Sequence, residues 1–303
     1  MGTLKRGSRP AWRQWGFGYA LTLPAIVVIF LVILYPMARG IQMSFQNITL
    51  FNLSRDTHAF VGFKNYVGVF ANPDFWRVIK NTAVWTVVNT VVQIALGLGA
   101  ALLLNQKLKG QGIFRAVALI PWIVPSVVAV LTWRWMYDSG NGIFGYWLIK
   151  LGLAHEYVNW LGNISTALGS VIVQSIWKGT PFVLIMFLSG LQAIPNELYE
   201  AAAMDGANNW HILWRVIVPV LKRTIAVATI LTVVFTLNNF NSVWLMTQGG
   251  PLHSSEILLT YAYKVAFQDF NLGQASAISV VMFVFLAVIS TIYIGLVERG
   301  EGN

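Results

Sequence analysis

Residues 200–219 read EAAAMDGANNWHILWRVIVP, a polar island carrying Glu200, Asp205, His211 and Arg215 between two long apolar runs. The solvent that those runs occupy decides the fold. A helix needs about 20 mainly apolar residues to cross the hydrocarbon core of a bilayer. Six segments reach that length: 17–37, 81–105, 116–133, 165–190, 224–245 and 275–297. The sequence therefore predicts an all-α, polytopic integral membrane protein with six transmembrane helices. Both chain ends then lie on one side, and the island sits in the loop between the fourth and fifth spans.

The composition agrees with lipid as the solvent. Of 303 residues, 56% are hydrophobic and 10% charged, against about 25% charged in ordinary soluble domains. The absence of cysteine removes disulfides, cysteine-ligated zinc and a cysteine nucleophile. His58, His155, His211 and His253 are scattered without metal-ligand spacing, so no metal site is expected. A formal charge of +9 could suit nucleic acid, but the basic residues form no long run and lie mostly beside apolar spans. Membrane topology explains them, and no nucleic-acid partner is expected. With residues 1–16 as a cytoplasmic tail, the inner segments hold 11 Lys and Arg in 65 residues and the outer segments 8 in 103. That is the bias of the positive-inside rule. Lys5, Arg6, Arg9 and Arg13 precede the first apolar run as in a signal peptide, yet the run ends in Tyr35-Pro36-Met37 without a small-residue cleavage site. It reads as a retained helix.

The 191–223 loop then faces the cytoplasm. Pro195 suits a first helical turn, where its missing N–H costs nothing, and Glu197 and Glu200 lie toward the positive end of the helix dipole. Ala201, Ala202 and Ala203 favour helix and leave little side-chain bulk, so another surface can approach closely. Gly206 is placed to end that helix in the left-handed conformation. A second helix is expected from about Asn208, with Trp210, Leu213, Trp214 and Ile217 at helical spacing on the membrane interface, and Pro219 is expected to break it. The loop reads as a knob offered to the cytoplasm.

Glu200-Ala201-Ala202, three residues, Gly206, nine residues and then Val216-Ile217-Val218-Pro219 resemble the cytoplasmic EAA loop of permease subunits in binding-protein-dependent ABC importers. Val216 and Val218 stand where the family pattern has Ile and Leu. The resemblance extends upstream through Leu191-Gln192-Ala193-Ile194-Pro195 and downstream to Gly249-Gly250-Pro251, and Phe60–Tyr66 looks like the first outer loop of these permeases. Both flanks of the loop are similar to the carbohydrate-uptake branch, which includes the larger permease of the maltose importer. The resemblance implies an importer transmembrane domain over 17–303 in a bacterial cytoplasmic (inner) membrane. It implies four kinds of partner: a second permease, two ABC ATPase subunits, an extracytoplasmic binding protein and a sugar-like substrate. It also implies that the loop is the coupling helix seated on the ATPase, with Glu200 as anchor, Ala201, Ala202 and Asp205 at the contact, Gly206 setting the turn and Pro219 closing the motif. No cofactor is expected to bind directly, and ATP and Mg²⁺ belong to the partner subunits. The chain has no GxxxxGK[ST] phosphate loop and no Gly-Lys dipeptide, so no catalytic residue is assigned.

Polar groups on otherwise apolar helices mark a translocation path. Thr232, Thr236 and Asn239 recur at helical spacing on the fifth span, although Thr can bond back to its own helix and Asn can join neighbouring helices. The resemblance places Thr232, Phe235, Thr236 and Asn239, with Gly179 and Phe182 of the fourth span, at sugar-lining positions. Lys178 is the charged residue well inside a span. It must face the bundle, a wet cavity or a carboxylate, and both an anion-binding role and a structural or hydroxyl-binding role remain open. Two other classes compete. An ion-coupled secondary transporter would show intramembrane carboxylates and related halves, but no Asp or Glu lies within the six spans. A membrane-embedded enzyme would have to use Glu200 and His211.

Overall fold

The computed structural model describes residues 21–55, 57–106 and 109–299. The 1–16 tail and the start of the 17–37 span fall outside them. All named elements among the described residues are helical, and the β-pairing is limited to an isolated bridge between Gln46 and Phe60. In chain order the helices are α1 (Leu21–Ser44), α2 (Lys64–Ala71), α3 (Pro73–Leu104), α4 (Gln111–Ile123), α5 (Ser126–Met136), α6 (Ile143–Lys150) and α7 (Ala167–Gln192). They continue as α8 (Asn196–Met204), α9 (residues 209–220), α10 (Lys222–Leu237), α11 (Phe240–Thr247), α12 (Leu258–Phe267) and α13 (Leu272–Arg299).

Four of the six expected spans are single long helices, α1, α3, α7 and α13, and each extends beyond the apolar stretch at one end or both. Thus α3 begins at Pro73, where Asn72 caps it by accepting from the Asp74 N–H at 2.9 Å. The third span departs from the straight 116–133 helix read from the sequence. It is a pair, α4 and α5, bent by 92°. Pro125 denies its predecessor the helical region, and Val124 is extended at φ −58° and ψ 131°. The fifth span is also interrupted. Between α10 and α11, Asn239 leaves the helix at φ −82° and ψ 78°, and its Oδ1 caps α11 by accepting from the Ser242 N–H at 3.3 Å.

The helices pack on α3 and α7, which form the most extensive helix pair. Gly97 permits that approach, since a Cβ there would lie 2.6 Å from Val183 Cγ1. One apolar cluster joins the inner halves of α3 and α7 to Ile217 and Leu221. Another joins Phe75 and Val78 of α3 to α12 and α13 on the outer side. The outer loop between α11 and α12 is tied by a fully buried carboxylate. Glu256 contacts His253 Nδ1 and has Lys264 Nζ 2.9 Å from Oε1, the pairing that a buried charge requires. Gly249 of the Gly-Gly-Pro stretch turns at φ +80°, and a Cβ there would lie 2.9 Å from Glu256.

Candidate functional site

The two regions singled out in the sequence lie at the inner end of α7 and midway along it. At its inner end, Pro195 precedes α8 as the capping residue, one position earlier than the first-turn placement read from the sequence. Glu200, Ala201, Asp205 and Gly206 are exposed on this helix and its end, and Ala202 is half-buried. Gly206 has φ +74°, and its N–H donates to the Ala203 carbonyl at 3.0 Å while Ala207 N–H donates to the Ala202 carbonyl at 2.9 Å. Those two bonds form a Schellman end, which needs a left-handed residue at this position. Asn208 opens the next helix by accepting from the His211 N–H at 2.9 Å.

Pro219 does not break that helix. The chain passes through a π-turn at Leu213–Ile217, and Val218–Val220 continues the helix, so the bend falls at Leu221, with φ −79° and ψ 2°. A wider turn accommodates a residue without an N–H because the bonding partner shifts by one residue. The interfacial reading divides by face. Trp210 and Trp214 are 65% and 51% exposed, whereas Leu213 and Ile217 pack into the inner cluster. Beside them, burial pushes the Tyr199 phenol above its usual range, and its hydroxyl has no hydrogen-bond partner among the described residues.

Midway along α7 the structure brings Lys178, Gly179, Phe182, Thr232, Phe235, Thr236 and Asn239 to one chamber of about 310 Å³. All seven residues read as the substrate path line it. Phe182 and Phe235 meet edge to face with ring centroids 5.2 Å apart. The Asn239 amide donates to Ser175 Oγ at 3.3 Å, and Thr232 bonds back to the Ala228 carbonyl at 2.7 Å. The Thr236 carbonyl accepts from the buried Trp85 indole at 2.9 Å. Gly179 leaves room for Gln93, whose Oε1 would lie 2.3 Å from an added Cβ.

Lys178 has a specific occupation. Its Nζ donates to the carbonyls of Pro121, Trp122 and Val124 at 2.9, 3.3 and 2.5 Å. These acceptors stand at the end of α4, where the last carbonyls lack helical partners and the dipole favours a cation. Because Pro125 has no N–H, the Pro121 carbonyl in particular has no helical donor. An ammonium has three N–H donors, and three carbonyls surround this one. These bonds are the ones a structural role for Lys178 would make.

Four further lining residues, Gln93, Trp122, Ser126 and Ser175, were not singled out in the sequence. Gln93 had a signal, since Thr82, Thr86, Asn89 and Gln93 follow helical spacing along α3 and are all buried. Trp122 and Ser126 reach the chamber only because the third span bends there. A larger groove of about 670 Å³ lies between α1, α12 and α13. Its walls are mainly apolar, with Met37, Ile41, Phe267 and Phe283 among them, and they give a hydroxylated ligand little to bind.

Comparison with known proteins points the same way. Residues 93–301 match the family model described as binding-protein-dependent transport system inner membrane component. The chain is 35% identical over 290 residues to the trehalose/maltose transport system permease protein MalF of Thermococcus litoralis, covering 95% of each protein. It is 33% identical over 298 residues to the sulfoquinovosyl glycerol transport system permease protein SmoG of Agrobacterium fabrum, covering 96% of each. Among solved structures, a chain of a bacterial ABC transporter involved in the import of the acidic polysaccharide alginate superposes with a TM-score of 0.81 and 25% identity, over 95% of this chain and 96% of that one.

Proposed function

Since the chain belongs to the binding-protein-dependent transport system inner membrane components and is an ABC importer permease, we propose that it passes a neutral sugar or glycoside through the chamber beside α7. The convergence of all seven residues on that chamber carries the reading. Two threonines, the Asn239 and Gln93 amides and Ser175 supply donors and acceptors for hydroxyls, while Phe182 and Phe235 offer apolar faces for a sugar ring. Relatives named for trehalose, maltose and sulfoquinovosyl glycerol support the class.

An extracytoplasmic binding protein delivers the substrate in this reading, as in the alginate transporter solved with its substrate-bound periplasmic protein. A second permease completes the path in a bacterial inner membrane, and two ATPase subunits hold ATP and Mg²⁺. The exposed α8 and its Gly206 turn form the seat on the ATPase, with Glu200 toward a basic partner surface, and closure of the ATPases moves the attached spans as bodies.

The test is Asn239→Ser in the reconstituted importer. Serine keeps the capping acceptor for α11 but removes the amide that points to Ser175 and the chamber. Uptake is expected to fall roughly 10-fold, the effect of about 1.4 kcal/mol from one lost hydrogen bond in a confined site, with the binding protein's affinity for free substrate unchanged. Full transport would remove the fifth span from the path.

A further inference from the structure

With 8 residues, α6 is too short to cross a membrane, yet it exposes an apolar face. Ile143, Tyr146 and Trp147, with Leu151 just past the helix end, follow the spacing of one helical stripe and are between 43% and 65% exposed. The opposite side is held by protein. Gly145 is buried against the Tyr157 ring, and the Phe144 ring packs on Trp133 and Tyr137 with centroids 5.7 and 4.9 Å apart. Gly152 then ends the helix at φ +71°, and Leu153, whose N–H donates to the Leu148 carbonyl at 2.9 Å, adds a second exposed leucine.

The level of α6 in the membrane follows from α7. Phe144 packs into the same apolar cluster as Leu168 in the first turn of α7. With 26 residues, α7 is about 39 Å long, against about 30 Å of hydrocarbon, so its first turn stands near the outer boundary, and α6 with it. Val128, Leu131 and Trp135 form an exposed apolar stripe along α5 that rises to the same end of the molecule, so the exposed face of α6 continues the surface that the spans offer to lipid. Tyr and Trp are the side chains that settle at this boundary. Lys150 Nζ lies 4.9 Å from the centroid of the Trp147 ring, which keeps a cation at the edge of the apolar patch, where phosphates lie.

We infer that α6 is an interfacial helix seated in the outer leaflet, with its exposed face against the upper acyl chains and Lys150 at the phospholipid phosphates. The seat holds the outer end of the bent third span, which joins α6 through the short 137–142 turn. It depends on the membrane assignment alone and not on what the chamber carries.

The natural absence of cysteine makes the test direct. Ile143→Cys and Leu151→Cys, at the two ends of the exposed face, are labelled singly with a nitrobenzoxadiazole fluorophore in the importer reconstituted with its partners in lipid nanodiscs. Phosphatidylcholine carrying a nitroxide near the headgroup end of its acyl chain is expected to quench both labels about twofold more than one carrying it near the methyl end, the order for a helix about 5–10 Å deep. Iodide in the buffer is expected to quench both labels severalfold less than it quenches the free fluorophore. Lys150→Glu should weaken lipid quenching of the Leu151→Cys label about twofold, because it sets a carboxylate against the phosphates. Iodide quenching of either label as strong as that of the free fluorophore would put the face in water, and shielding of both labels from lipid and iodide alike would put it against a protein; each result overturns the seat. Shielding from iodide that arises only when the binding protein is added would overturn it in favour of a docking face. Unchanged lipid quenching in Lys150→Glu would overturn the phosphate contact.

Discussion

Replacing Lys178 by Met tests whether the half-buried ammonium serves the fold or a charged substrate. Methionine keeps most of the side-chain volume but leaves the carbonyls at the end of α4 without their donor. The bonds to Pro121 and Val124 are part-buried and the one to Trp122 is exposed, so water can replace only the last freely. At about 1–3 kcal/mol for each buried acceptor left unpaired, the two shielded carbonyls together lose about 2–6 kcal/mol. At roughly 2–4 °C of unfolding midpoint per kcal/mol, the scale for domains of about 150–250 residues, a drop on the order of 4–24 °C, toward the lower end for this longer chain, is expected in the purified importer. Lys178→Arg should fall between, because a planar guanidinium does not fit three carbonyls grouped around one nitrogen. Uptake should decline for neutral and anionic glycosides alike, since the 92° bend that brings Trp122 and Ser126 to the chamber loosens. An unchanged midpoint with loss confined to an anionic glycoside would refute the capping argument and restore the anion role.

Gly206→Pro should abolish binding-protein-stimulated ATP hydrolysis with the permease still inserted, because proline fixes φ near −65° where the turn has +74°; Glu200→Lys should do the same by reversing the charge offered to the ATPase, and normal stimulation in both would exclude this loop from coupling. Gly179→Ala places a Cβ on Gln93 and should lower uptake severalfold, with partial recovery on adding Gln93→Ala; equal defects in the single and double variants would show that the clash is not the cause. Asn208→Cys should react with an impermeant thiol reagent only from the cytoplasmic side, and labelling from outside intact cells would invert the topology.

The six spans were legible because apolar length is a local property of the sequence, and so was the Gly206 turn, since Gly206 and the alanines before it act through their own backbone. The breaks inside the third and fifth spans were less so. Pro125 marks its break in hindsight, but a proline alone does not separate a kink from a 92° bend; the carbonyls freed there must also find a donor, and that donor lies more than 50 residues away. Asn239 was read as a lining residue, and its second role as the cap of α11 depends on a helix end that hydropathy does not show. The outer helices α2, α6 and α12 are too short and mixed to stand out between spans. Pro219 was misplaced for a related reason: rigid expectations about proline leave out the π-turn that absorbs it.

Breaks in two neighbouring spans at the same chamber follow from one constraint. Backbone that leaves the helix at membrane depth must be satisfied by protein or by water in a cavity, and here α7 faces both breaks. Lys178 serves the carbonyls of α4, and Ser175, one turn earlier, accepts from Asn239 at the start of α11. The polar groups that make the breaks tolerable are therefore the groups that make the chamber wet. For Lys178 and Asn239 the structural and functional readings are not rivals: the same hydrogen bonds hold the bent backbone and shape the wall a hydroxylated ligand would meet. It follows that a substitution here changes the fold and the path together, and only variants that preserve the cap while altering the remaining donors, such as Asn239→Ser, separate the two effects.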